Sequence, residues 1–351
     1  MFKYITKRMA LAILTLFVVL IFSYTLVVLF IKNPYEIQLL SENNHAQRLA
    51  LEAKSKEYNE IPVIVKMAQY FAKFFRFDYG EIFKPTGGYN TIPDLFFKPL
   101  GWSILVSLPS FIISSILGVM IGVLAGYKRG TWIDNAISAF VFVFIAVPSF
   151  VLAPIILGIF QKLGFDTRFI HPREVGEGWG STILSVIPAI VVVSLGSLAG
   201  YTLYSRNQVV TVLTSNYVLI AKTKGLSNWQ IFRKYVFRNI SIPLATVIIP
   251  SYLILLSGSI IVEQFWFIPG TATTIANSFP NGEINVVMFS VFFFTALGLF
   301  TQIIVDISYP FIDPRIKYQA SSGINIFQIF KAHKLRKMQW ANIQKQLQGG
   351  Q

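Results

Sequence analysis

Six long apolar runs occur along the chain, and none of them contains Asp, Glu, Lys or Arg. A hydrocarbon core about 30 Å thick is crossed by about 20 residues in helical form. A helix also satisfies its own backbone hydrogen bonds, which lipid cannot do. The pattern therefore predicts an all-α membrane protein with six transmembrane helices at residues 9–31, 100–126, 136–160, 182–204, 242–262 and 285–305.

The composition agrees with a membrane protein. Of the 351 residues, 54% are hydrophobic and 13% are charged, whereas about a quarter of the residues of a soluble domain are charged. The first apolar run follows Lys3, Lys7 and Arg8 as a signal peptide would, but it is longer than a signal-peptide core and no small-residue cleavage motif follows it. We therefore interpret it as a retained span.

The charge distribution predicts the orientation. If the N-terminus is cytoplasmic, the cytoplasmic segments hold 18 basic and two acidic residues, whereas the outer loops hold 12 of each, with Glu263 and Asp306 at span ends left aside. An excess of Lys and Arg on one side is the positive-inside pattern. It predicts cytoplasmic N- and C-termini, and it explains the net charge of +14 without a nucleic-acid surface.

Two acidic residues and several prolines lie at or within the predicted spans. Glu263, at an outer span end, is either a gate or binding contact or a capped, water-exposed helix end. Asp306 should lie near the inner interface and pair with Arg8 or Arg315.

Five prolines lie within the predicted spans: Pro109, Pro148, Pro154, Pro188 and Pro250. They predict bent helices, either around a gated cavity or as simple packing kinks.

Three segments lie outside the spans. Residues 32–99 form a long outer loop, in which the polar positions between Pro62 and Phe77 predict an amphipathic helix that lies in the membrane interface. Residues 205–241 form a basic inner loop, which is either a solvated loop or a lipid-headgroup contact. Residues 318–351 form a basic tail, expected either as a solvated tail or as a helix on an anionic leaflet or an ATPase.

The inner loop carries the most informative motif. Residues 217–226 read YVLIAKTKGL and residues 228–242 read NWQIFRKYVFRNISI, which predicts a short helix, a turn at Gly225 and a second helix leading into the fifth span. Four further stretches have a distinctive order of residues: GVLAGYKRGTWIDN at 122–135, VPSFVLAP at 147–154, SGSIIVEQFWFIPG at 257–270 and IIVDISYPFIDPRIK at 303–317.

In these stretches the chain resembles the inner-membrane permease subunits of ABC importers, in particular the B-type permeases of the oligopeptide, dipeptide and nickel family. The general loop of these importers begins with Glu-Ala-Ala, where this chain has Leu219, Ile220 and Ala221. The Pro-Gly-Asp-Pro element that the family has after the first span is replaced here by KNPY at 32–35.

The resemblance implies the type I importer permease fold over residues 1–317, with residues 205–241 as the coupling loop that docks on an ATPase. It implies four kinds of partner: a C-type permease, two ABC ATPases, an extracellular peptide-binding lipoprotein that uses the outer loop as a platform, and the lipid bilayer. The implied coupling residues are Ala221, Lys222, Lys224, Gly225 and Leu226, and the implied gate or binding-protein contacts are Glu263, Pro269 and Gly270.

Several motifs are missing. Without G-x-x-x-x-G-K-[ST], the chain is not expected to bind nucleotide, so ATP and Mg would be bound by the partner ATPases. His45, His171 and His333 are scattered over loops, which argues against a metal site. The chain has no cysteine and no catalytic motif, so we do not expect an enzyme or a resident cofactor.

The sequence therefore predicts the pore subunit of an ATP-driven oligopeptide importer in a bacterial plasma membrane. A dipeptide or nickel-chelate importer is the nearest alternative. A secondary carrier would usually place ionisable groups within its spans, and these six runs have none. A channel or an assembly scaffold would not need the coupling-loop pattern.

Overall fold

The computed structural model describes residues 2–84, 88–258, 260–312 and 332–340, and within these residues it is helical, with no strand. In chain order the helices are α1 (Phe2–Phe30), α2 (Pro34–Ser41), α3 (His45–Glu60), α4 (Val63–Phe74), α5 (Ile92–Tyr127), α6 (Trp132–Ala146), α7 (Ser149–Lys162), α8 (Trp179–Leu213), α9 (Asn216–Thr223), α10 (Asn228–Ile231), α11 (Phe237–Gly258), α12 (Ile260–Phe265), α13 (Thr271–Ser278) and α14 (Ile284–Ile312).

Five helical segments in the described part of the chain are long and apolar enough to cross a membrane. The third predicted span, 136–160, is not one helix: α6 and α7 meet at an angle of 108°. The break lies at Val147 and Pro148, where both residues are extended and Pro148 precedes the first residue of α7. Proline has no N–H to donate and disfavours a helical residue before it, which accounts for the break.

The direction of α5 and α8 shows that α6 and α7 together return the chain to its starting side. Ser110 of α5 donates a hydrogen bond to the carbonyl of Ile190, and Ser205 of α8 donates to the carbonyl of Val119. The residue numbers on both helices increase together, so the two helices are parallel. The bent pair therefore crosses once, and the six-span prediction is met with a broken third span.

The contact between α5 and α8 is the most extensive in the described chain. Three glycines four residues apart on α5, Gly118, Gly122 and Gly126, face α8, so α5 places no side chain between the helices at these positions. A Cβ atom added at Gly122 would lie 2.5 Å from the carbonyl oxygen of Thr202 and 2.7 Å from Cβ of Ser205. Small residues allow this close approach, which is how helices gain packing energy in lipid.

The first and last spans pack antiparallel. Leu20 and Tyr24 of α1 share a buried cluster with Ile284 and Met288 at the start of α14. At the opposite end, Arg8 forms a salt bridge with Asp306, with Nη1 and Oδ2 3.1 Å apart, which confirms one of the two predicted partners. The other, Arg315, lies outside the described residues.

In its described residues the outer loop contains three complete helices, α2, α3 and α4, and its last residues begin α5 at Ile92. The amphipathic helix predicted between Pro62 and Phe77 is confirmed as α4. One side of α4 packs on α1 and α14 through Tyr70 and Phe74, so this side does not face lipid. Ile64 and Phe75 stay exposed. The helix is therefore part of the folded chain and is not only an interfacial element.

The basic tail is described over residues 332–340, which are helical with every side chain exposed. Residues 313–331 and 341–351, which include the family-like Asp-Pro-Arg at 313–315, lie outside the described residues. The role of the tail stays a prediction.

Replacing Gly122 by Ala should destabilise the chain, because the new methyl group would collide with the α8 backbone. Overpacking of this kind costs about 1–3 kcal/mol. We expect a lower thermal unfolding midpoint and a lower yield of purified protein. Gly101→Ala is the matched control, because it lies on the same helix with no atom within 4 Å of its added Cβ. Equal unfolding midpoints for the two variants would contradict the close-contact interpretation.

Candidate functional site

In the inner loop, α8 continues to Leu213, and the short helix α9 then ends at Thr223, two residues before Gly225. The N–H of Leu226 donates to the carbonyl of Ala221 at 3.3 Å, and the N–H of Gly225 donates to the carbonyl of Lys222 at 2.9 Å. This pair of bonds is the Schellman motif, which places a left-handed residue just after a helix. Gly225 has φ of +74°. The predicted turn is confirmed, and its backbone conformation explains the glycine.

A second helix, α10, begins at Asn228 after four intervening residues. The Ser227 side chain accepts a hydrogen bond from the N–H of Gln230 at 3.3 Å, and the Gln230 side chain accepts from the N–H of Ser227 at 2.9 Å. This reciprocal capping box fixes the start of α10. A π-helical turn, Phe232–Val236, then leads directly into α11. The loop is therefore continuous with a span, with no irregular segment between them.

Ala221 faces the chain's own interior. Its side chain is 1% exposed, and it shares a buried cluster with Val218 of α9, Val209 of α8 and Val236 of the π-helical turn. A direct contact between Ala221 and a partner protein is therefore not available in this conformation. Ala221 instead holds α9 against α8 and α11, and Leu226 packs at the edge of the same cluster.

The opposite side of α9 is exposed and apolar. Leu219 and Ile220 are 61% and 54% exposed, and Lys222 and Lys224 are exposed beside them. The sequence interpretation noted Leu219 and Ile220 only as departures from the usual loop. Their exposure makes them the best candidates in this loop for a partner contact, with the two lysines at the edge.

A buried ion pair supports the inner end of α8. Asp134, at the start of α6, is 2% exposed. It accepts hydrogen bonds from Arg206 at 2.6 and 2.7 Å and from the N–H of Gly130 at 3.0 Å. A two-point guanidinium–carboxylate pair fixes orientation as well as distance. The pair ties the turn after α5 to α8, two helical turns before α8 ends.

Glu263, predicted as a gate contact or an exposed helix end, is 1% exposed, so the water-exposed alternative is wrong. Its carboxylate accepts hydrogen bonds from the Ser103 hydroxyl at 2.7 Å and from the N–H and hydroxyl of Thr273 at 3.1 and 3.3 Å. Because Gly270 offers no side-chain cap, Glu263 satisfies a free N–H in the first turn of α13 instead.

Gly270 lies directly against this carboxylate, and Pro269 precedes it in the chain. Any Cβ at Gly270 would collide with the Glu263 carboxylate and with Ser103, so only glycine fits. Pro269 is exposed, and both residues line an outer cavity of about 310 Å³. The three predicted gate residues therefore lie together beside an open cavity. Whether they gate or contact a binding protein stays a prediction.

A second buried carboxylate fastens the outer loop to the last span. Glu283 is 4% exposed, and it accepts hydrogen bonds from the backbone N–H groups of Phe83, at 3.0 Å, and Lys84. Burial raises the pKa of Glu283 above its ordinary value, and the two backbone hydrogen bonds oppose that rise. The outer loop is therefore held in place beside α13.

A cavity of about 210 Å³ lies at the break between α6 and α7. Its walls come from α7, α8, α11 and α12 and are mainly aliphatic, with small or hydroxyl side chains among them. The lining residues are Val147, Ser149, Leu152, Val192, Val193, Gly196, Ser197, Leu255 and Val262. The bend at Pro148 therefore borders a space between spans, and the prediction that the prolines enclose a gated cavity stays a prediction.

Glu263→Ala should loosen α13, because the Thr273 N–H in its first turn and the Ser103 hydroxyl lose their acceptor. The chain has no cysteine, so a single cysteine at buried Ala272 can report this by its rate of maleimide labelling in purified protein. Leaving buried donors unsatisfied costs about 1–3 kcal/mol, so labelling should accelerate about tenfold. Glu177→Ala, at an exposed outer carboxylate, is the control. Equal labelling rates in the two variants would rule out the capping role.

Comparison with known proteins agrees with this architecture. An oligopeptide transport system permease protein of Mycoplasma genitalium is 30% identical over 94% of this chain and 81% of its own length. The corresponding protein of Haemophilus influenzae is 28% identical over 91% and 100%, and a dipeptide transport system permease protein of Lactococcus lactis is 26% identical over 90% and 100%. Residues 118–318 match the family described as the binding-protein-dependent transport system inner membrane component. The chain belongs to this family of multi-pass plasma-membrane permeases.

Proposed function

We propose that this chain is the pore subunit of an ATP-driven importer of oligopeptides. The observation that carries the proposal is the inner loop: α9 and α10 are fixed to α8 and α11 by a buried cluster, and they present Leu219 and Ile220 outward. An exposed apolar pair on a rigid support is suited to docking a second protein. The names of the relatives support a peptide substrate.

The proposed assembly contains a second, C-type permease, two ATPases and an outer peptide-binding lipoprotein. ATP and Mg would be bound by the ATPases, and this chain would contain neither a cofactor nor a catalytic residue. The inner loop belongs to the basic side of the chain, which favours cytoplasmic termini. The wall around the cavity at Pro148 would form half of the translocation pathway, and the second permease would form the other half.

The mechanism follows from the rigidity of the loop. When ATP binding closes the two ATPases, each docked loop would be displaced. Because α9 and α10 pack on α8 and α11 through the buried cluster, the displacement would move these spans and switch the cavity between inward-facing and outward-facing states. Energy from ATP is thereby coupled to access through a two-state movement.

Peptide uptake into membrane vesicles tests the function directly. Vesicles that contain the complete complex and the binding protein should accumulate a radiolabelled pentapeptide only when ATP is supplied to the ATPase side. Uptake that is driven by a proton gradient without ATP would contradict the proposal and would indicate a secondary carrier.

Leu219→Glu combined with Ile220→Glu should prevent ATPase docking, because two charges replace the exposed apolar pair. Loss of an interface contact of this kind costs about 2 kcal/mol or more, so the ATPase recovered with the chain should fall at least about tenfold. The fold should be kept, since both side chains are exposed.

Ile64→Glu is the matched control for this variant, because Ile64 is 74% exposed on the outer helix α4. Unchanged ATPase recovery in the double variant would remove α9 from the docking surface. Loss of ATPase recovery in the control would indicate that the double variant fails because the chain misfolds.

Gly225→Val should reduce ATP-dependent uptake because of backbone strain and not because of crowding. A Cβ at this position meets no atom within 4 Å, but φ is +74°, a conformation that a β-branched residue rarely adopts. Gly225→Asn should keep most of the uptake, since Asn tolerates this region. Uptake is measured per amount of inserted protein, and equal activity of the Val and Asn variants would contradict the turn's role.

A further inference from the structure

The outer end of the chain contains a second open space besides the cavity beside Gly270. A separate cleft of about 640 Å³ lies between the outer ends of α1 and α14, the helices α3 and α4, and residues 78–83. This volume falls in the usual range for a small-ligand site. None of its lining residues belongs to the cavity at Pro148 or to the one beside Glu263.

Tyrosines form the inner surface of this cleft. Tyr24 and Tyr70 are 5% and 8% exposed, and Tyr58 is half-buried. Among the described residues, no protein group forms a hydrogen bond with the hydroxyl of any of the three. The three phenols line a space large enough for a ligand, and each hydroxyl can donate or accept a hydrogen bond there.

The rim carries three cations and three anions. The cations are Lys54, Lys66 and Lys73, and the anions are Glu57, Asp78 and Glu81. Within the described part of the chain, none of the six forms an ion pair. The Lys66 ammonium lies 3.6 Å from the centre of the Tyr58 ring, a position that a cation–π contact stabilises.

This balance of charges selects the ligand class. A site for an anionic lipid or a free phosphate would have an excess of cations, whereas this rim carries equal numbers of cations and anions. A short peptide carries an ammonium group at one end, a carboxylate at the other and backbone amides between them. Carboxylates, lysines and phenols are the groups that can bind these three features.

We propose that the cleft is a second peptide-binding site, at the outer end of the permease and apart from the translocation pathway. The lysines bind the peptide's carboxylate, the acidic side chains bind its ammonium group, and the phenols of Tyr24, Tyr58 and Tyr70 hydrogen-bond to its amides. This proposal rests on the proposed peptide substrate. The site would raise the local concentration of peptide beside the outer cavity.

Photo-crosslinking to the full chain tests the proposal without ATPases or binding protein. The chain is placed in phosphatidylglycerol nanodiscs and irradiated with a lysyl-benzoylphenylalanyl-alanyl-alanine tetrapeptide, and the adducts are located by mass spectrometry. We expect saturable adducts within residues 54–83 or at Tyr24. A peptide with free termini should compete at least about tenfold better than the same peptide with an acetylated N-terminus and an amidated C-terminus.

Two substitutions examine the cleft itself. Tyr58→Phe removes a phenol hydroxyl, and Lys66→Met removes a cation. Each substitution should weaken crosslinking about fivefold or more, as expected for a lost charged or hydroxyl contact. Lys56→Met is the matched control, because Lys56 is exposed on the same helix as Lys54 but does not line the cleft. Equal crosslinking in all three variants would overturn the assignment.

Other outcomes would also overturn it. Adducts confined to the cavity at Pro148 would mean that the outer cleft does not bind peptide. Loss of adducts when phosphatidylethanolamine replaces phosphatidylglycerol would identify the ligand as a zwitterionic lipid headgroup. ATP-driven uptake is measured separately: uptake without cleft adducts refutes only the cleft, and adducts without uptake refute only the proposed function.

Discussion

The close approach of α5 and α8 is the constraint on which the rest of the structure depends. Lipid tails are as apolar as the side chains of a span, so burial from water does not hold two spans together, and packing at short range has to do so. At Gly118, Gly122 and Gly126, α5 places no side chain between the two helices. The parallel direction of these helices also forces the intervening chain to cross the membrane once, through the bent pair α6 and α7.

The same two helices carry the important contacts at both ends of the molecule. At the outer end, Ser103 of α5 donates to Glu263, which caps α13. At the inner end, Arg206 of α8 is held by Asp134, and α8 continues into the cluster around Ala221. A force applied to the inner loop would therefore act on a rigid unit that reaches the outer cavity. Glu263 and Ala221 both serve this unit as internal supports.

Much of the architecture could be predicted from the sequence, because charge-free runs and glycine turns are local signals. The six spans and the turn at Gly225 follow from such signals, and the order of the spans places Asp306 on the same side as Arg8, one of its two predicted partners. The angle of 108° after Val147 does not, since Pro148 indicates a break but not its direction. The burial of Ala221 and Glu263 was missed, because their partners are distant: Ser103 is 160 residues from Glu263. The outer cleft likewise joins α1, α3, α4 and α14, and no single segment indicates it.

The composition of the complex tests the central claim, which is that the rigid inner loop docks a separate ATPase. The tagged chain would be extracted gently from its native membrane, and the proteins that remain bound would be quantified by mass spectrometry. The account predicts one second six-span permease and two Walker-motif ATPases for each copy of this chain. Recovery of the chain alone, or only as a homo-oligomer, would contradict the claim and favour a channel or a secondary carrier.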